Sequence, residues 1–237
     1  AKSQGLRIVG EYLVPVSFVL VAPRGTRLDQ VVDVAAHPVA YAQCLAWLGA
    51  NIPGHTHVIA GSNVASAIGV LDGSLPAQAA IAAPGVVKHY DVDVLAEGIG
   101  DNADAVTRFV FVTRAVAPPA PTGSDKTSLI VELPREVPGA LLEMLEQFAT
   151  RGINLSLIQS RPIGDRLGRY RFIIDADGHI DDERMADALM GLKRFSPNVL
   201  FLGSYPRADR ERVHPEPRYS DASFAAAREW LRGLRTP

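Results

Sequence analysis

The chain has 237 residues, with 24 Lys and Arg against 26 Asp and Glu, for a formal net charge of −2. That balance, without a clustered basic face, excludes a nucleic-acid footprint; the one Arg-rich stretch, 207–218, is interrupted by Asp209, Glu211 and Glu216 and reads as a solvated tail. The lone Cys44 excludes an internal disulfide and points to a reducing, cytoplasmic setting, and no apolar run reaches the ~18 residues of a membrane helix.

The N-terminus AKSQGLRIVG has neither an initiating Met nor a signal-peptide pattern and enters a strand almost at once. Residues 6–14 and 16–22 are β-branched, apolar and bounded by Gly and Pro, which predicts two strands. PVAYAQCLAWLGAN predicts one helix, with Pro38 in its first turn, Gly49 at its end and Cys44 as a small core residue. HTHVIAG predicts a short strand. SNVASAIGVLDG predicts a helix capped by Ser62 or Asn63. Further strands are expected in AQAAIAAP, near Val92 to Ala96, and in TRFVFVTR, where Phe109 and Phe111 read as core. Strands alternating with helices predict an open α/β sheet.

AVAPPAPTGSDKTS marks a linker, placed at 116–126, and a domain boundary. Beyond it TSLIVEL predicts a strand, and PGALLEMLEQFATRG a helix with Leu141, Leu145 and Phe148 on one stripe and Gly152 at its cap. INLSLIQSRP and RYRFIIDAD predict two strands. DDERMADALMGLKRF predicts a helix capped by Asp181, with an Ile180–Met185 staple. NVLFLGS closes a β-α-β-β-α-β, ferredoxin-like order over 127–206. The tail, 207–237, ends in an amphipathic helix with Phe224, Ala227, Leu231 and Leu234 on one face, which must dock on its own chain or on a partner.

No metal constellation is expected: no acid or cysteine near His55 and His57 completes a ligand set. No glycine-rich phosphate loop and no nucleophile elbow follow a strand. The remaining chemistry lies at element ends. His37 precedes one helix, Ser62 and Asn63 start another, and Thr107 and Arg108 begin a strand. Helix N-termini plus an Arg describe an anion pocket. Each residue also has a plainer reading: His37 and Ser62 as caps, Gln43 as a solvated helix residue, Arg108 as an ion-pair partner.

NADAVTRFVFV resembles the Asn-x-x-Thr-Arg-Phe motif of prephenate dehydratases. AHPVAYAQC, GSNVASA and AQAAIAAPGVVKHYDVDVLAEGIGDN are similar to successive segments of that family, and PGALLEMLEQFATRGINLSLIQSRP is similar to its phenylalanine-binding ACT domain. The resemblance runs from Leu6 to about Pro206 in family order. Departures are Ala36 for Ser, Val39 for Gln, and Gln159 for the Glu of the ACT signature. A family lobe with a Glu-Asn-Ser motif should precede LRIVGE. Its absence makes an N-terminally truncated chain, or a remainder on another polypeptide, the expectation, with little or no dehydratase activity in residues 1–237 alone.

The resemblance implies a periplasmic-binding-like α/β lobe of a prephenate dehydratase domain over 1–115, followed by the ACT domain. It implies cofactor-free decarboxylating dehydration of prephenate to phenylpyruvate. Thr107 is the implied catalytic hydrogen-bond donor to the leaving hydroxide; Gln43, His37, Ser62, Asn63 and Arg108 are the implied substrate ligands. Neighbouring strand residues face opposite ways, so Thr107 and Arg108 cannot both enter one pocket of a regular strand. Gly139, Ala140, Leu141, Asn154, Ser160 and Arg161 are the implied L-phenylalanine site, set between the subunits of a homodimer or homotetramer. The alternative is a non-catalytic aromatic amino-acid sensor.

Overall fold

In the computed structural model, which describes residues 5–114, 116–135, 137–164, 169–212 and 214–235, contacts divide the chain into two units. One holds Val14–Thr107. The other holds Ala1–Leu13 and Arg108–Pro237. Two strands, β1 (Leu6–Pro15) and β7 (Val106–Arg114), pair as a ribbon and carry the chain from one unit into the other.

The unit of Val14–Thr107 is built on β2 (Val19–Ala22), β3 (Asp33–Ala36), β4 (Thr56–Ile59), β5 (Ala79–Ala82) and β6 (Asp93–Glu97), in the order β4-β3-β5-β2-β6. Strands β3, β4 and β5 are parallel, while β2 runs antiparallel to both β5 and β6. Both faces are covered, which is why β2 and β5 are continuous apolar runs rather than alternating ones. Leu20, Val34, Leu48, Ile81 and Ile99 fill one side. Val19, Val21, Ala35, Ala67 and Ala80 fill the other. The interior strand β3, between β4 and β5, carries no strand signal beyond Val34 in Asp-Val-Ala-Ala and escaped the sequence reading.

The single helix expected from Pro38 to Asn51 is two: α1 (Pro38–Ala42) and α2 (Leu45–Asn51). The break has a long-range cause. The Asp101 amide donates to the Gln43 carbonyl at 2.7 Å, and its carboxylate accepts from Ala46 N and Trp47 N at 3.1 to 3.3 Å, capping α2. Helix α3 (Asn63–Leu71) starts as expected, with Ser62 Oγ accepting from Ala65 N at 3.0 Å.

The second unit contains β8 (Asp125–Glu132), α4 (Ala140–Ala149), β9 (Leu155–Pro162), β10 (Tyr170–Asp177), α5 (Glu183–Phe195) and β11 (Val199–Pro206). Its antiparallel order, β11-β8-β10-β9, is the ferredoxin-like one. Leu129, Val131, Phe172 and Ile174 face Met144, Phe148, Met185 and Leu192 of the two helices. The buried residues of α4 are Ala140, Met144 and Phe148; Phe148 is on the expected stripe and Leu145 packs against the same core, while Leu141 is exposed. Gly152 closes α4 as expected, with φ +61° and a Schellman pair of bonds, Gly152 N to the Ala149 carbonyl and Ile153 N to the Phe148 carbonyl, both at 3.1 Å. Asp182, not Asp181, is the α5 N-cap, so the expected staple spacing is lost. The tail helix α6 (Asp221–Arg235) buries no residue; Leu231 and Leu234 stay exposed, while Arg228 pairs with Glu183 and Asp221 accepts from Glu183 N at the start of α5.

Two further expectations are corrected. Phe109 and Phe111 are 55% and 60% exposed on the β1–β7 ribbon, so the strand is held by something other than its aromatics. Arg207 is not part of a solvated tail: its side chain is 10% exposed and pairs with Asp177 at 2.9 Å, as an ion pair rather than an aligned hydrogen bond, and with Asp209 at 2.7 Å. The helix-free face of the sheet also carries buried charge. Lys126, Ser128, Asp175 and Tyr205 lie there under the ribbon, and Gly203 lets β1 approach, since a side chain at that position would run into the Ile8 carbonyl.

This charge gives the unit a pH limit. Bonds from the Arg207 side chain and the Glu211 amide hold the Asp209 carboxyl at about 2. Burial pushes Glu11 upward, but the Ala208 amide, Lys126 and Arg108 outweigh it and leave it below the usual value. Groups depressed in the folded state contribute stability above the ordinary carboxylate range and lose it as pH falls through their folded values. The melting temperature is expected to hold above about pH 5 and fall between about pH 4 and pH 2. A melting temperature flat across that window, measured by thermal denaturation, would contradict the assignment.

Candidate active site

The parallel strands set the site. A sheet of this kind binds ligands beyond the carboxyl ends of its strands. His37 follows β3, Ser62 and Asn63 follow β4, and Ala83 follows β5, so all lie at one edge of the sheet. The end of β6 lies at that edge too, because β5 and β6 both run against β2. The segment 98–105 then leads to Thr107. Asn102 turns it by accepting from Asp104 N at 3.0 Å, and the Ala105 carbonyl accepts from Val16 N at 2.8 Å.

At the start of α3 is a cavity of about 460 Å³ lined by Asn63, Val64, Ala82, Ala83, Gly85, Val86, His89 and Tyr90. The Asn63 Oδ1 is buried without a hydrogen-bond partner, so it can accept from a ligand hydroxyl; with the amide turned over, the same position offers two N–H donors to a ligand oxygen. His89 and Tyr90 were missed by the sequence reading. The signal available was their place in KHYD, directly after the Pro84–Lys88 3₁₀ turn at the cavity.

Of the other expected residues, none lines this cavity. His37 Nδ1 accepts from Val39 N at 3.2 Å and caps α1. Gln43 Nε2 donates to the Val39 carbonyl at 3.1 Å. Thr107 is exposed, and among the described residues its hydroxyl has no hydrogen-bond partner. Cys44 is fully buried, and burial, reinforced by Asp101, pushes its thiol up to about 12; it is no nucleophile. His55 and His57 serve Tyr41, by a 2.9 Å bond to its hydroxyl and a stacked ring at 3.8 Å. Among the described residues no group of three or more potential metal ligands occurs.

Arg108 leaves the Thr107 side of the strand. Its Nε donates to Glu11, its Nη1 to Asp175 at 2.6 Å and its Nη2 to the Tyr205 hydroxyl at 2.6 Å. Ser128 bridges Asp175 and Tyr205, and Lys126 reaches Glu11 at 3.1 Å. Burial lowers the Arg108 pKa, yet Tyr205, Asp175 and Glu11 raise it overall. Burial, with Asp175 beside it, also raises the Tyr205 phenol. The ion-pair alternative is thus the arrangement present, and each guanidinium nitrogen is already committed to a protein acceptor.

The profile of the prephenate dehydratase family matches residues 1–117, and that of the ACT domain matches 127–194. A prephenate dehydratase of Amycolatopsis methanolica is 41% identical over 230 residues, covering 96% of this chain and 73% of that protein. The chain belongs to the prephenate dehydratase family. The Mycobacterium tuberculosis H37Rv prephenate dehydratase is 39% identical over 97% of this chain and 69% of its own. The crystal structure of Arthrobacter aurescens prephenate dehydratase in complex with L-Phe superimposes with a TM-score of 0.91 at 50% identity, over 100% of this chain and 78% of that one. A structure described as a novel type of quorum-quenching acylase shares the fold with a TM-score of 0.72 at 28% identity, covering 86% of this chain and 73% of that one, so chemistry has to be argued from the site. Prephenate dehydratases are enzymes, and this chain carries both domains of the family in order.

Proposed function

We propose that the protein converts prephenate to phenylpyruvate. The observation that carries this is the gathering of His37, Ser62, Asn63 and the segment leading to Thr107 at the carboxyl edge of one sheet, in a chain of this family. In the reaction the bond from the ring to its carboxylate breaks and carbon dioxide leaves. The freed electron pair enters the ring and expels the hydroxyl opposite, which takes up a proton and departs as water. Aromatisation drives the step, so the protein supplies position and electrostatics. Thr107 presents an uncommitted hydroxyl that stabilises charge developing on the leaving oxygen. The α3 N-terminus, with Ser62 and Asn63, receives a carboxylate. His37 lies at the same edge, and Gln43 orients the substrate with its second amide N–H. Asn63→Ala is expected to raise KM for prephenate about tenfold with kcat nearly unchanged, as loss of one binding hydrogen bond does. Steady-state kinetics checks this; an unchanged KM removes Asn63 from the site.

The ACT domain is inferred to bind L-phenylalanine, the ligand present in the crystal structure of the Arthrobacter aurescens relative. Gly139 has a φ of +85° and caps α4, followed by Ala140 and Leu141. Ser160 and Arg161 lie on β9 toward the same end of the sheet, since Arg161 and Glu132 both pair with Arg171. Asn154 lies at the other end of α4, its amide donating to Asp177 at 2.8 Å. A ten-residue helix spans about 15 Å, so one chain does not unite the expected ligands. Strand β9 is an open edge with exposed residues along nearly all its length, and a second copy pairing there would complete the site in a homodimer or homotetramer. Calorimetry on the whole chain is expected to show heat on adding L-phenylalanine, with a raised melting temperature. No heat and no shift at millimolar ligand in a verified dimer would leave the ACT domain a structural role. The buried, single Cys44 agrees with a cytoplasmic protein, and no helix among the described residues is long and apolar enough to cross a membrane.

A further inference from the structure

We propose that Arg108 is a positioning residue for Thr107: it anchors β7 to the ACT sheet through Glu11, Asp175 and Tyr205 and so sets how the preceding residue presents its hydroxyl. The proposal rests on the catalytic reading of Thr107 given above.

The two residues share one peptide plane and face opposite ways, so a turn of the backbone at Arg108 reorients the Thr107 side chain. What Arg108 meets is directional. Its planar fork engages three strands at once: β1 through Glu11, β10 through Asp175 and β11 through Tyr205. The partners are rigidly placed. Asp175, Tyr205 and Ser128 are buried, and Ser128 ties the other two together. Glu11 is fixed separately by Lys126 and by the Ala208 amide at 3.1 Å. Gly203 allows the approach of β1 that brings Glu11 into the cluster.

A buried charge cluster is a costly way to hold two layers together, because desolvation offsets much of its attraction and apolar residues of similar volume hold layers at least as well. What it offers instead is a defined geometry. The aromatic residues of β7 do not provide one, since Phe109 and Phe111 lie exposed. A displacement of about 1 Å at a reacting group costs up to 10²-fold in rate, so an anchor one residue away suits the chemistry.

The test is a double-mutant cycle in the natural full-length protein. Arg108→Lys keeps the charge and removes the fork; Tyr205→Phe removes one bond without changing charge. Each is made with Thr107 intact and with Thr107→Ala. Arg108→Lys is expected to lower kcat roughly tenfold with KM within about twofold, Tyr205→Phe to lower it less, and neither to matter further once Thr107 is Ala. Equal losses in both backgrounds would mean a merely structural role, and a loss confined to KM would mean that Arg108 touches substrate; either overturns the proposal. Hydrogen exchange on the folded chain needs no turnover. Arg108→Lys should speed exchange of the amides from Thr107 to Val112 while those of β8 and β10 keep their protection. Unchanged exchange there, or uniform acceleration, rejects the anchor even if the wild type makes no phenylpyruvate, a result that would instead refute the proposed reaction.

Discussion

Thr107→Ala is expected to lower turnover of prephenate by about 10²-fold or more, the loss seen when one preorganised donor to a developing oxyanion is removed. A threonine hydroxyl is a weak acid in water and gains a catalytic role only by placement. Thr107 is the second residue of β7, on a strand fixed from the next residue, and its hydroxyl has no partner among the described residues. The substitution removes one hydroxyl and one methyl from an exposed position, so folding should survive; a circular dichroism spectrum and melting temperature matching the wild type would show it. Thr107→Ser keeps the donor with a freer rotamer and should retain part of the activity. Near-normal turnover by Thr107→Ala, in a protein whose wild type is active, rejects the assignment.

Glu11→Ala is expected to destabilise the fold by about 3 kcal/mol, toward the lower end for a broken buried pair. The Glu11 carboxylate is 2% exposed and receives Arg108, Lys126 and the Ala208 amide. Its removal strands the Lys126 ammonium and the Ala208 N–H under the ribbon and takes one of three acceptors from Arg108. The Arg108 side chain is 27% exposed, so water recovers part of its solvation and keeps the loss below the upper end. Urea unfolding at neutral pH measures the change. The mutant should also lose part of the wild type's acid sensitivity, because the depressed carboxyl is gone. A loss under about 0.5 kcal/mol would mean that the cluster contributes no more than an exposed ion pair.

What was legible in the sequence followed locality. The ACT strands and helices carry strong period-two and helical patterns, and their order emerged from pattern alone. Ser62 as a cap was legible because a cap acts within three residues. The division of PVAYAQCLAWLGAN was not, because the residue that breaks the helix is Asp101, more than fifty positions away. Strand β3 was missed because its four residues are mostly small, and only burial between β4 and β5 makes them a strand. Phe109 and Phe111 were read as core from hydrophobicity, while the charged Arg108 and Asp175 took the covered positions. The strand alternation did foretell that Thr107 and Arg108 would part; it could not say that Arg108 would meet a tyrosine and two carboxylates from three other strands. His37, Ser62 and Asn63 share a sheet edge, yet only Asn63 lines the α3 cavity, and His89 and Tyr90 join it from the end of the Pro84–Lys88 turn.

The measurement that bears most directly on the proposed reaction is the ultraviolet assay of phenylpyruvate formed from prephenate by the natural full-length protein, run beside Thr107→Ala. The expected result is steady formation of phenylpyruvate by the wild type, no added metal or cofactor, and about a hundredfold less with the variant. A folded wild-type protein that leaves prephenate unchanged across pH 6 to 9, or an alanine variant that matches it, would contradict the reading.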